Sequence, residues 1–165
     1  MEFYMKLPRN WKEKAMFIFI VSFISVNIIG PIISLWEMGW SLANYLKVLH
    51  VLPFIWIAVI LVVLLAEKPA TFLKEKITHK DDSFKTQIWI NTLCNVFIIS
   101  ALMTLIGSAI GQRSIPMHTL KNFFEIWPRN FGLALLIEGL IAQPIARFFM
   151  EHYHLKTDKV QDKVQ

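Results

Sequence analysis

The chain has 165 residues, of which 55% are hydrophobic and only 18% charged, where an average soluble domain carries about 25% charge. Its mean hydropathy is +0.49 and its formal net charge is +5. That balance excludes a disordered chain, a collagen and a disulfide scaffold, and argues against a soluble globular enzyme. Cys94 is the single cysteine, so no internal disulfide and no Cys-based zinc site can form.

Lys6, Arg9, Lys12 and Lys14 precede the first apolar run. That run is longer than the 7–15 residues or so of a signal-peptide core, and no small-x-small cleavage site follows it. It is read as a retained membrane span over residues 15–35. Further runs over 48–66, 87–110 and 127–149 each approach the roughly 20 residues that a spanning helix needs. Hydrocarbon supplies no partner for a backbone amide, and a helix satisfies its amides internally. The expected fold is therefore all-α, a polytopic integral membrane protein whose four transmembrane helices form two tandem helical hairpins. Residues 1–76 make the first hairpin, 77–86 a linker, 87–150 the second hairpin, and 151–165 a polar tail, frayed from Leu155.

Lys and Arg are distributed unevenly around these spans. Thirteen lie before span one, between spans two and three, or after span four: Lys6, Arg9, Lys12, Lys14, Lys68, Lys74, Lys76, Lys80, Lys85, Arg147, Lys156, Lys159 and Lys163. Only Lys47, Arg113 and Lys121 occupy the two short hairpin loops, with Arg129 just inside span four. The positive-inside rule places both termini and the linker in the cytoplasm. Topology accounts for the basic charge, and nucleic-acid binding is not expected. Trp36, Trp40 and Trp127 fall near the predicted outer boundary, Trp11 and Trp89 near the inner one.

The two halves align without a gap at an offset of 75 residues, which superposes Pro53 on Pro128, Pro69 on Pro144 and Ser25 on Ser100. Two spans per unit would make these parallel repeats. In the second half, Trp127-Pro128-Arg129-Asn130-Phe131, Ala134 and Ala142-Gln143-Pro144-Ile145-Ala146-Arg147 resemble a bacterial family of two-helix membrane hairpins, domain of unknown function 2798. Lys6-Leu7-Pro8-Arg9 is similar to that family's N-terminal end. The resemblance implies a tandem pair of such hairpins and a bacterial inner-membrane location. It implies no activity, and it places Gln more often than Glu at the position of Glu138.

Glu138 is the sharpest chemical feature, because it sits midway along span four. A charged carboxylate at that depth costs at least about 2.5–3.5 kcal/mol on insertion scales, so it must face the interior, hold a proton or find a partner. One reading is a proton- or cation-binding group in a transport path; the other is a neutral side chain that holds helix register through a hydrogen bond. Asn27, Asn91 and Asn95 are the expected polar partners, either lining a path or gluing helices. Glu125, Arg129 and Asn130 are expected at the outer mouth, where Arg129 either snorkels outward or pairs with Glu125 across one turn. There they select an anionic or zwitterionic solute or anchor the helix end.

Ser100, Thr104, Gly107, Ser108 and Gly111 form a stripe of small residues on span three and read as a helix-packing face, echoed by Ser22, Val26, Gly30 and Ser34 on span one. Gly30-Pro31 and Gln143-Pro144 mark kinks or helix ends. His152 and His154 are two apart, a spacing that keeps both rings off one helix face, so no metal site is expected. There is no H-E-x-x-H, phosphate-binding glycine loop or nucleophile elbow, hence no expected cofactor and no enzyme. The functional expectation is a transporter or permeation protein for a small solute or ion, proton-coupled through Glu138. The alternative is an accessory subunit packed against a larger membrane partner. Four helices are few to enclose an aqueous path, which favours a homodimer.

Overall fold

A computed structural model describes residues 7–79 and 82–161. Lys6, Lys80 and Lys163 of the topology argument lie outside the described residues. The chain forms α1 (Trp11–Met38), α2 (Leu42–Ile77), α3 (Phe84–Gln112), a short α4 (Met117–Lys121), α5 (Phe123–Ile137), a π-helical turn (Glu138–Ala142) and α6 (Gln143–Gln161). No strand occurs among the described residues. Among the described residues four helices are long and apolar enough to cross a membrane, the fourth running without interruption from Phe123 to Thr157.

The ends of these helices are set by local chemistry. Asn10 caps α1 by accepting from Glu13 N at 2.9 Å, and the Glu13 carboxylate reaches back to Arg9 N and Asn10 Nδ2; this reciprocal pattern satisfies orphan donors of the first turn. Ser41 and Ser83 cap α2 and α3 through Asn44 N and Thr86 N. Gly39, at φ 90°, stops α1, and its N–H bonds Leu35 O. A side chain would be strained at that φ, which is why glycine ends the helix.

The helices overrun the expected spans at both ends. Pro31 lies inside α1, which continues to Met38. Pro53 and Pro69 lie inside α2, which at 36 residues is about 54 Å long and outreaches a hydrocarbon core of about 30 Å. The fraying expected from Leu155 is also corrected, because α6 stays helical to Gln161. Pro144 does disturb its helix. It has no N–H, and its ring crowds the carbonyl four residues earlier. The preceding turn widens, and Gln143 N–H bonds Glu138 O five residues back.

Short connections at 39–41 and 113–116 make consecutive helices antiparallel neighbours. In the bundle α2 packs between α1 and α3, α3 packs on α5, and α1 closes the ring against α5, the π turn and α6. Val26, Val48 and Leu52 form an apolar core, flanked by Ile55, Trp56 and Val59. α1 and α2 approach closely there: a Cβ built on Gly30 would lie 2.8 Å from Leu52 Cδ2. Phe19, Phe54, Leu65, Phe97, Leu140, Phe148 and other large apolar side chains remain exposed on the outside. Lipid is the solvent that removes that surface from water.

One lock occurs in both hairpins. Trp56 Nε1 donates to Ser22 Oγ at 3.0 Å, Ser22 Oγ donates to Phe19 O at 3.1 Å, and the Phe19 and Trp56 rings meet edge-on at 5.0 Å. Trp127 Nε1 donates to Ser100 Oγ at 3.0 Å, Ser100 Oγ donates to Phe97 O at 3.1 Å, and Phe97 meets Trp127 edge-on at 5.0 Å. Each tryptophan thus hides its N–H from lipid while its ring fills the helix interface. Trp127 is held in this lock, whereas Trp36, Trp40, Trp11 and Trp89 are exposed. The locks match Phe19 to Phe97 and Trp56 to Trp127, two different offsets, so the lock does not follow the gap-free register of 75 residues.

Trp127→Phe and Ser100→Ala should each destabilise the bundle by about 0.6–1.7 kcal/mol, the range of interhelical side-chain hydrogen bonds in lipid. The double variant should lose less than the sum of the two. Unfolding in mixed detergent micelles measures all three.

Candidate functional site

A cavity of ≈ 680 Å³ runs down the axis of the bundle and is lined by all four spans. At the end carrying the hairpin loops it is bordered by Glu37, Met38, Lys47, Gln112, His118 and Arg129. It descends past Ser108, Gly107, Thr104 and Asn130 to Ser25, Val59, Val96 and Glu138, at mid-span. Below that level the bundle is filled. Ser22, Ala66, Ala70, Thr92, Ala142, Ala146, Met150 and His154 are buried there, and none lines the cavity. The space is therefore open towards the loop end and blocked towards the terminus end.

Small side chains on α3 create this space. Ser100, Thr104, Gly107, Ser108 and Gly111 all line it. A Cβ on Gly107 would meet only Met103 Cε at 3.9 Å, and one on Gly111 would meet nothing within 4 Å. In the upper part of the expected packing face, at Gly107 and Gly111, an added Cβ would meet no neighbouring helix of the chain, and both residues border the cavity. Ser100 and Thr104 are buried and do join helices. On α1 the echo divides likewise, with Gly30 in close contact and Ser34 facing the cavity.

Glu138 forms the floor of the cavity. Its Oε1 accepts from Ser25 Oγ at 3.0 Å, and its Oε2 is buried without a hydrogen-bond partner among the described residues. Glu138 is also the first residue of the π turn, a distortion that is frequent at functional sites because it re-aims side chains. The expected asparagine partners are corrected. Asn27 Nδ2 donates to Phe23 O and Asn95 Nδ2 to Asn91 O, both at 2.8 Å and both within their own helices. A short amide side chain reaches the carbonyl four residues back more readily than it crosses to another helix. Ser25, which the sequence offered only as an alignment match, holds the carboxyl instead. No motif marks it; the one available signal was its position at mid-span on a neighbouring helix.

At the mouth, Arg129 Nη2 bonds Glu37 Oε1 at 3.0 Å, and its guanidinium lies 5.5 Å from the Trp36 ring centre. Arg129 Nε and Nη2 also donate to Asn130 Oδ1 at 3.3 and 3.2 Å. Asn130 Nδ2 donates to Thr104 Oγ1 at 3.2 Å, and Thr104 Oγ1 donates to Ser100 O at 2.8 Å. Arg129 and Asn130 thus stand where the sequence placed them. Glu125 does not: it is exposed, outside the cavity, and Arg129 pairs across the bundle with Glu37 on α1. A neighbour one turn away on the outer surface would hold the guanidinium away from the cavity, whereas Glu37 lets it bridge two spans and stack on Trp36.

A second polar cluster closes the terminus end. His154 Nε2 pairs with Glu13 Oε2 at 3.0 Å, and His154 is only 1% exposed. Glu13 Oε2 also accepts from Arg9 N at 2.6 Å. The cap of α1 is thereby tied to α6, and Lys14 pairs with Glu67 of α2 beside it. His152 is exposed and stacks near Phe148, on a different face from His154. Among the described residues no three His, Cys, Asp or Glu side chains gather as a metal would need.

Residues 84–154, which hold the second hairpin, match the family model described as Domain of unknown function (DUF2798). The first hairpin lies outside the match. No curated protein and no solved structure matches the chain.

His154→Ala removes a partner from a buried carboxylate and should destabilise the fold by about 1–3 kcal/mol. Glu37→Gln breaks a pair that is about a third exposed (33% and 36%) and should cost under about 1 kcal/mol. Detergent-micelle denaturation of the two variants side by side checks the order.

Proposed function

We propose that this multi-pass membrane protein is a transporter or permeation protein for a small solute, coupled to protons through Glu138. The observation that carries the reading is the one-ended cavity with an unsatisfied carboxyl oxygen at its mid-span floor. A pore would be open at both ends, whereas this cavity ends on a titratable group. A site reached from one side and blocked on the other suits alternating access. In that scheme the filled half opens while the loop end closes. The π turn at Glu138–Ala142 supplies the deformable joint. The Glu13–His154 pair and the buried Ala142, Ala146 and Met150 are the contacts that must separate.

Glu138 couples the two events by simple exclusion. Buried beneath lipid-covered helices, it is neutral when it holds a proton and is compensated when it holds a cationic or hydrogen-bond-donating ligand. A bare carboxylate between those states is costly, so loss of one occupant favours gain of the other. One chain's four spans surround the cavity, so transport in this scheme does not require a dimer to build the path. A homodimer then serves lipid-facing surface rather than the site. An accessory subunit, the other reading of the sequence, has no need of a mid-span carboxyl facing a cavity. The proposal assigns no catalytic chemistry. It takes the bacterial inner membrane from the family resemblance and the cytoplasmic placement of both termini from the asymmetry of Lys and Arg.

In a Cys94→Ser background, Ser108→Cys should react with a membrane-impermeant thiol reagent added from the loop side, and Ala142→Cys should stay protected at rest. In proteoliposomes containing a pH dye, a panel of small amines, amino acids and carboxylates should include a solute that moves protons, and Glu138→Gln should abolish that movement. Solute-driven proton movement that persists undiminished in Glu138→Gln would remove the coupling.

A further inference from the structure

The geometry points to a small organic ammonium ion with an apolar body as the ligand of the cavity, its N–H bonded to Glu138 Oε2. The inference rests on the transport reading for its biological meaning, but as a statement about binding it stands on the site alone.

Three features of the site select this class. Glu138 lines the cavity and its Oε1 is already engaged by Ser25, which leaves Oε2 as a buried acceptor with no hydrogen-bond partner among the described residues. An ammonium supplies both the donor and the charge that this oxygen lacks, and charge-assisted hydrogen bonds are the strong ones. The walls just above it are Val26, Ile55, Val59, Val96 and Ile99, which favour a hydrocarbon or aromatic body over a hydrated ion. A metal cation is a poor fit. Calcium wants six to eight oxygens and magnesium an octahedron of them, whereas the floor offers the carboxyl, Ser25 and Ser100. An anion would be repelled, and a neutral apolar guest would leave Oε2 unsatisfied.

The mouth does not oppose a cation. The charged and titratable side chains that line the cavity are Glu37 on α1, Lys47 on α2, His118 on α4, and Arg129 and Glu138 on the fourth span; α3 contributes none. Arg129 is neutralised by Glu37. Lys47 is exposed to solvent, where counterions screen it within about a Debye length, roughly 8 Å at physiological salt. A volume of ≈ 680 Å³ falls inside the range of small-molecule sites, about 300–1,000 Å³. It has room for a guest with one aromatic ring.

Three probes with one benzyl body separate the contributions: benzylammonium, the bulkier benzyltrimethylammonium, which has the charge but no N–H, and benzyl alcohol, which has an O–H donor but no charge. Calorimetry of the full chain in detergent micelles should show saturable binding of benzylammonium. Benzyltrimethylammonium should bind more weakly, and benzyl alcohol weaker than benzylammonium by about tenfold or more. Glu138→Gln should lose a similar factor for benzylammonium and nothing for benzyl alcohol. Titration in buffers of different ionisation enthalpy should show a proton released as the cation binds. Equal affinity for benzylammonium and benzyl alcohol, or an undiminished Glu138→Gln, would overturn the assignment in favour of a purely apolar guest such as a lipid chain. If Glu138→Gln does not fold, Gly107→Leu decides, because it fills a wall that has space for it: loss of benzylammonium binding supports the site, and unchanged binding overturns it. Benzylammonium that binds without any proton-linked uptake sinks the transport reading and leaves the ligand class. Proton-linked uptake of another solute without benzylammonium binding does the reverse.

Discussion

A lipid interior offers a polar group nothing to bond, so every donor and acceptor inside the spans has to find its partner within the protein. The polar side chains of this bundle obey that constraint in two ways. Asn27 and Asn95 fold back on their own helices. Trp56, Trp127 and Asn130 reach across to Ser22, Ser100 and Thr104. Against this background one carboxyl oxygen of Glu138 stands out, because it is buried without a hydrogen-bond partner among the described residues, on a side chain that lines the cavity. The cavity, the π turn and the functional reading all converge on that unmet requirement.

The bundle treats its two halves differently, and the difference is a matter of side-chain volume. Towards the loop end, serine, threonine and glycine on α3 face inwards and leave room. Towards the termini, alanines are buried against close neighbours, and Met150 and His154 fill what remains. Interiors pack densely wherever complementary shapes allow it, so a void of this size reflects the residues placed around it. Pro144 adds a local consequence. By denying its helix one hydrogen bond it widens the turn that carries Glu138, so the same defect that loosens the helix sits directly beneath the cavity.

Two polar clusters border these halves and have unlike character. The Glu37–Arg129–Asn130–Thr104 chain is partly open to solvent and spans three helices around the mouth. The Glu13–His154 pair is buried and ties the start of α1 to the end of the fourth span. Buried pairs are costly to break from one side, while exposed pairs exchange readily with water. The terminus end is therefore the more firmly closed of the two.

The sequence by itself determined the class of object. Long apolar runs dictate membrane helices because a lipid solvent leaves the backbone no other choice, and the four spans, their hairpin order and the isolation of Glu138 could be read from spacing alone. It also placed Arg129 and Asn130 at the mouth. What it could not decide was who meets whom. Asn27, Asn91 and Asn95 looked like partners for Glu138, and Glu125 like the partner of Arg129, because sequence reports distance along one helix and not rotation between helices. Only the packed bundle brought Ser25 to Glu138 and Glu37 to Arg129. The glycine and serine stripe on α3 was legible as small, but whether small residues admit a neighbour or leave a void depends on what stands opposite, and that is set by the tertiary arrangement.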